Sequence, residues 1–258
     1  MNVVAIIPAR MGSSRFPGKP LAPICGIPMV GHVYHRARLS GRLHGVYLAT
    51  CDREIADYGA SIGADVIMTA DTHERASDRA AEAAGIVERR TGRAIDVVVM
   101  IQGDEPMVDP AMIDAAVDAL VGDDRADVVN LMGRVAGRHE MEDPNEIKVV
   151  VDREGFALYF SRAPVPFVRD GGAWASRNQI CVIPFRRAAL TEFNALPTTP
   201  LEAAESIDML RLLEHGRRVK MVPVEAETCS VDTPEDLALV EGLMAADPVL
   251  ARYAGSRR

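Results

Sequence analysis

The chain has 258 residues, 48% of them hydrophobic and 26% charged, with a formal net charge of -8, a balance that supports a sizeable buried core and excludes a disordered chain. No apolar run approaches the ~18 residues that cross a bilayer, so no membrane partner is expected, and the acidic balance argues against general binding to nucleic acid. Residues 2–7, NVVAII, are too short for a secretory signal core and lack a charged region ahead of them, which makes the cytoplasm the expected location.

Residues 3–7, 46–49, 66–68 and 97–101 are brief apolar runs rich in β-branched side chains, as buried parallel strands are. Helix-length segments lie between them at 28–40, 53–62 and 77–91. This alternation predicts a mostly parallel sheet with right-handed crossovers and helices on both faces. Active residues then belong at the carboxyl edge of the strands. The loop after the first strand reads RMGSSRFPGK, residues 10–19. Gly12, Ser13 and Ser14 allow backbone N–H groups to converge on an anion, and Arg10, Arg15 and Lys19 supply cations. Neither a P-loop nor a dinucleotide fingerprint is present, so spacing alone leaves open a surface loop with incidental arginines. Charge is unevenly spread: six Lys and Arg precede Asp52, whereas no Asp or Glu does. A positive field around the loop follows, although Arg36, Arg38 and Arg42 also read as surface arginines of one helix.

The fourth strand ends in QGDEP, residues 102–106. Asp104 and Glu105 there are either hard oxygen ligands for magnesium, which takes one or two carboxylates plus substrate phosphates, or a helix N-cap or loop carboxylate. From residue 127 the spacing tightens, and DVVNLM, IKVVVD, ALYFS and QICVIPF predict an antiparallel insertion over roughly 127–195. Gly171-Gly172 predicts a mobile loop. A helix over 200–215 with His215 at its end, a strand at 219–222 and a last helix capped by Thr233 with Pro234 at its first position complete the pattern. Asp232, just before that cap, is either a helix-start acid or a ligand brought to the same sheet edge. Cys25, Cys51, Cys181 and Cys229 form no Cys-x-x-Cys pair and no ligand spacing with histidine, so they read as reduced packing residues. The six histidines form no pair, and His73 carries no role that spacing can assign.

In order along the chain, PARMGSSRFPGKPL, QGDEP, PNEIKVV, ALYFSRAPVPF and VDTPEDL resemble the 3-deoxy-manno-octulosonate cytidylyltransferases, the CMP-Kdo synthetases, over nearly the whole length to about residue 243. The resemblance implies an α/β fold with a Rossmann-like, mostly parallel sheet sandwiched by helices and an inserted antiparallel dimerisation subdomain. It implies one cytidylyltransferase domain over 1–245, a C-terminal tail at 246–258, and a homodimer. It implies transfer of CMP from CTP to a sugar acid, with Mg2+ and release of diphosphate. Carried over residue by residue, Arg10, Ser13, Arg15, Lys19, Ser77, Arg79 and Gln102 become CTP ligands, Asp104 and Asp232 metal ligands, and Arg10, Lys19 and Asp104 the catalytic set. Gln179, Glu205 and Asp208 become acceptor contacts. This chain departs from the family pattern in two places. His73-Glu-Arg-Ala-Ser-Asp-Arg79 carries Arg75 and Ala76 where the family has Ser-Gly, and Gln179-Ile-Cys-Val-Ile-Pro-Phe-Arg186 begins with Gln179 where the family has histidine. The acceptor is therefore expected to be 3-deoxy-manno-octulosonate or a related acid. The alternatives are another acidic acceptor, another nucleotide, and a nucleotide-binding module without turnover.

Overall fold

Six consecutive apolar residues, VVAIIP, form β1 (Val3–Pro8), and all six are buried. The computed structural model describes residues 1–13, 15–135, 137–169, 175–225 and 229–255. Ser14 and the predicted loop at Gly171-Gly172 lie outside them. After β1 come a 3-10 turn (Lys19–Leu21), the short strands β2 (Pro23–Ile24) and β3 (Ile27–Pro28), and α1 (Met29–Ala37). Then β4 (Gly45–Thr50), α2 (Arg53–Ser61), β5 (Asp65–Met68), α3 (Ala76–Thr91), β6 (Val97–Ile101) and α4 (Pro110–Gly122) repeat the predicted rhythm. The α/β class expected from the sequence is the class observed.

Contacts divide the chain into two units, residues 1–114 with 228–258, and residues 115–227. In the first, β1 pairs in parallel with β4 on one side and with β6 on the other, and β4 pairs in parallel with β5. The chain thus winds outward from β1 through β4 to β5 and returns to the opposite flank of β1. The strand order reverses between β1 and β6, and ligands of such sheets bind outside the carboxyl ends of the strands at that point.

In the second unit β7 (Val128–Arg134) is central. It is followed by α5 (Arg138–Glu142), β8 (Lys148–Val151), β9 (Ala157–Ser161), β10 (Arg177–Ile180), β11 (Val182–Arg186), α6 (Arg187–Ala195), α7 (Pro200–Glu205), α8 (Met209–Glu214) and β12 (Val219–Pro223). β10 and β11 run antiparallel along β7, β12 runs parallel to it, and β8 and β9 continue antiparallel beyond β10. The predicted strand in QICVIPF is two strands broken at Cys181, where the register against β7 slips. The predicted helix over 200–215 is also two, because Ser206 takes φ 53 and the left-handed turn ends α7 before Asp208 opens α8. His215 caps α8, as the sequence suggested.

The chain then rejoins the first unit with α9 (Pro234–Met244) and α10 (Pro248–Ala254). Val231, Val240 and Met244 share a core with Ile24 and Met29, so the β2–β3 hairpin is the seat on which the returning segment packs. Arg36 is not a surface arginine. It is 1% exposed and bonds the Tyr253 hydroxyl, the carbonyls of Met107 and Val108, and the Asp247 carboxylate. Beside it His32 is fully buried. Its Nε2–H donates to the Ile24 carbonyl at 2.7 Å, since a carbonyl can only accept, and Nδ1 accepts from the Tyr253 hydroxyl at 2.7 Å. Burial, with Arg36 and His35 adding to it against the Ile24 and Ile27 carbonyls, lowers the His32 pKa from 6.5 to about 4. The unfolded chain therefore takes up this proton first, and stability present above about pH 6.5 is lost as pH falls towards 4, by up to about 3 kcal/mol. Urea unfolding at pH 7 and pH 4.5 measures it. His32→Gln should flatten this part of the slope, and an unchanged slope would remove His32 as its source.

Candidate active site

The loop after β1 and the loop after β6 meet at the switch point. Gly103 passes so close to β1 that a Cβ there would sit 3.0 Å from the Pro8 carbonyl oxygen. Its missing side chain lets Gln102 and Asp104 flank the end of β1. Backbone bonds shape the first loop: Gly18 N–H reaches the Met11 carbonyl, Ser13 Oγ accepts from Phe16 N–H at 3.2 Å, and Gly18 at φ 75 turns the chain so that Lys19 begins the 3-10 turn. The last contributor, Asp232, arrives with the returning segment, where Val231 N–H donates to the Asp104 carbonyl at 3.0 Å. These segments enclose a cleft of about 310 Å3. Five cations (Arg10, Arg15, Lys19, Arg75, Arg79) and three carboxylates (Glu74, Asp104, Asp232) line it, a surplus of positive charge suited to a polyanion.

Lys19 Nζ lies 2.8 Å from Asp104 Oδ2 and 3.0 Å from Asp232 Oδ1, and Arg15 Nη2 lies 3.0 Å from Asp232 Oδ2. Burial pushes the Lys19 pKa down, but charge and hydrogen bonds from Asp104 and Asp232 outweigh it and hold the pKa above its ordinary value. Asp232 is not the cap of α9. Thr233 accepts from Asp236 N–H, and the Asp236 carboxylate takes the N–H groups of Asp232 and Thr233, which leaves the Asp232 carboxylate to face the cleft. Likewise Asp104 does not start α4, whose first turn is held by Asp109 through the Ala111 N–H at 2.7 Å. Both carboxylates face the cleft instead, where Lys19 bridges them and Arg15 pairs with Asp232. Two hard carboxylates converging on one ammonium mark a cation position that fits magnesium completed by phosphate and water oxygens. Among the described residues no group of three or more His, Cys, Asp or Glu could hold a metal, so such an ion would depend on ligand oxygens.

Of the other expected nucleotide residues, Arg10, Ser13, Gln102 and Arg79 line the cleft. Arg79 is 2% exposed, bonds Thr69 and the Ala70 carbonyl, and keeps Nη2 buried without a hydrogen-bond partner among the described residues. Ser77 is fully buried and is not brought to the cleft wall. His73, which spacing left without a role, does line the cleft. It bonds Glu82, whose carboxylate also takes the Ala70 N–H at 2.9 Å. Burial raises the Glu82 pKa, but Ala70, His73 and Arg79 together bring it below its ordinary value.

Asp52 is a second residue the sequence did not flag. At the N-cap position of α2, its carboxylate caps nothing there and instead accepts the Met11 N–H at 2.7 Å, across 41 residues. That bond fixes the cation loop between Arg10 and Arg15. Asp52→Ala is expected to raise the KM for the expected nucleotide about tenfold with kcat within about twofold, since positioning of a bound group is lost. Asp52→Asn, which still offers an acceptor oxygen, should recover most of it. Equal KM values for wild type and Asp52→Ala in steady-state kinetics would remove Asp52 from this role.

The expected acceptor residues belong to the second unit. Gln179 pairs with Met132 on β7, and its Oε1 is buried without a hydrogen-bond partner among the described residues. Asp208 opens α8. Glu205 is engaged already: Ser161 Oγ and the Tyr159 hydroxyl donate to Oε1 at 2.8 and 3.3 Å, and Arg162 N–H donates to Oε2 at 2.9 Å. Burial raises its pKa, but these donors and the Arg162 charge lower it overall.

A family model described as cytidylyltransferase matches residues 4–220. A 3-deoxy-manno-octulosonate cytidylyltransferase of Trichlorobacter lovleyi is 43% identical over 92% of this chain and 96% of its own length. The chain belongs to the 3-deoxy-manno-octulosonate cytidylyltransferase family. A relative of the same description from Nitratidesulfovibrio vulgaris is 46% identical, covering 93% of this chain and 94% of the relative. Among solved structures, a CMP:2-keto-3-deoxy-manno-octonic acid synthetase complexed with CTP superposes with a TM-score of 0.86 at 36% identity, over 95% of this chain and 99% of that one. A 4-diphosphocytidyl-2C-methyl-D-erythritol synthase from Anaerococcus prevotii, at 15% identity and a TM-score of 0.64 over 95% and 96% of the two chains, shares the fold.

Proposed function

We propose that the chain transfers CMP from CTP to 3-deoxy-D-manno-octulosonate and releases diphosphate. The observation that carries this is the meeting of Arg10, Arg15 and Lys19 with Asp104 and Asp232 at the switch point. The three cations hold the triphosphate. Gln102, which offers both a donor and an acceptor, and the unpartnered Nη2 of Arg79 read the cytosine edge; Ser77 supports them from the first turn of α3. The anomeric hydroxyl oxygen of the acid forms its bond to the α-phosphorus as the bond to the bridging oxygen breaks. The electron pair leaves with diphosphate, and the hydroxyl proton passes to water. Arg10, Arg15 and Lys19 neutralise the departing charge, so catalysis rests on positioning and electrostatics rather than on a covalent nucleophile. Asp104 and Asp232 would hold a magnesium ion, which when bound supplies further neutralisation of the phosphate oxygens.

Gln179 and Asp208 are the acceptor contacts that the family pattern assigns to the second unit, where Glu205 holds the turn at Ser161 and Arg162. The chain works in the cytoplasm, where CTP is available, and needs no nucleic acid. It acts as a homodimer, for which exposed Leu158, Phe167 and Val168 in the second unit offer apolar surface. Phe160 of the same stretch is buried and does not contribute. Diphosphate release tests the reading: CTP with 3-deoxy-D-manno-octulosonate should release it and UTP should not. Release with another sugar acid alone would reassign the acceptor, and none with any acid would sink the transfer reaction.

A further inference from the structure

The two carboxylates that would hold a metal ion already hold Lys19 and Arg15. Lys19 Nζ takes one oxygen of Asp104 and one of Asp232, and Arg15 takes the other oxygen of Asp232. We infer that Lys19 and a divalent cation compete for the same carboxylate oxygens, so that the nucleotide-free protein excludes the metal and CTP admits it. This rests on the proposed role of Asp104 and Asp232 as metal ligands. Lys19 is well placed for such an exchange. Its side chain is 12% exposed, so the ion pairs are shielded from the solvent that weakens surface pairs, and a divalent ion cannot share their oxygens with an ammonium at 2.8–3.0 Å without strong like-charge repulsion.

A triphosphate changes the balance. It brings several negative charges into a cleft that already carries Arg10, Arg75 and Arg79, and phosphate oxygens can take the ammonium of Lys19 and the guanidinium of Arg15 in place of the carboxylates. The freed oxygens of Asp104 and Asp232 then face a metal whose other ligands are phosphate oxygens. Metal and nucleotide would bind with positive coupling, each raising the affinity of the other by the same factor. Charged groups that appear paired off before binding thus become the means by which the site waits for its complete ligand.

Mn2+ as the probe, followed by its electron paramagnetic resonance signal, tests this without turnover. Wild-type protein without nucleotide should bind Mn2+ weakly. Lys19→Met should bind it at least about tenfold more tightly without nucleotide, because the competing charge is gone. Lys19→Arg, which keeps the charge, should stay near wild type, and adding Asp104→Asn to Lys19→Met should abolish the gain. Circular dichroism confirms that each variant is folded. Should Lys19→Met and wild type bind Mn2+ equally without nucleotide, while Asp104→Asn weakens Mn2+ binding in the CTP complex, the competition is overturned and the metal assignment stands. If Asp104→Asn and Asp232→Asn leave Mn2+ binding with CTP unchanged, the metal assignment falls and the competition falls with it.

Discussion

Asp104→Asn is expected to lower kcat/KM for CTP by about 10^2–10^3-fold, the scale on which a single preorganised electrostatic partner of a reacting phosphoryl or acyl group acts. The substitution is close to isosteric and leaves the scaffold in place. The Asp104 carbonyl still accepts from Val231 N–H, which ties the second loop to the segment carrying Asp232, and Gly103 still passes beside Pro8. Unfolding free energy should therefore change by less than about 1 kcal/mol. What changes is charge: Lys19 keeps Asp232 as its one carboxylate partner of the pair, and the cleft gains positive charge. Nucleotide binding should persist or tighten while turnover falls, so the loss belongs in kcat more than in KM. Activity within about threefold of wild type would exclude Asp104 from the chemistry, and a large fall in the thermal midpoint would assign it to the fold instead.

The sequence carries the sheet because buried parallel strands have a local signature. Val3–Pro8 and Val97–Ile101 are continuous apolar runs, and all their residues are buried. QGDEP and RMGSSRFPGK are legible as loops of a site for the same reason, since each follows such a run. The departures share a different physical cause, which is that their partners are far away in the chain. Nothing near Asp52 reveals that its carboxylate serves Met11 rather than its own helix. Arg36 looks like a surface arginine until Asp247 and Tyr253 arrive from more than 200 residues away. Asp232 and Asp236 are both plausible helix-start acids, and only the fold shows that one caps and the other pairs with Lys19. The β2–β3 hairpin escapes notice because Cys25 occupies φ 47, a conformation expected of glycine or asparagine rather than cysteine.

Arg211→Met should destabilise the protein by about 3–5 kcal/mol, because it strands a buried carboxylate. This arginine is a structural residue. Its Nε and Nη2 grip Glu202 at 2.7 and 2.6 Å, with the two side chains 6% and 0% exposed, and Nη1 donates to the Phe193 carbonyl at 3.2 Å. The guanidinium also lies over the Phe193 ring at 4.6 Å. Glu202 in turn accepts the Thr199 N–H at 3.3 Å where α7 begins. One pair thereby clamps α6, α7 and α8, including the break at Ser206 that separates Glu205 from Asp208. Glu202→Leu combined with Arg211→Met tests what the pair is worth, since replacing both charges by apolar groups of similar size is often neutral. Chemical denaturation of the single and double variants separates two causes. Recovery in the double variant means the loss came from an unpaired buried charge. If the double variant loses as much as the single, the stabilisation resides in the bonds Arg211 makes to Phe193, and the helices rather than the ion pair set the positions of Glu205 and Asp208.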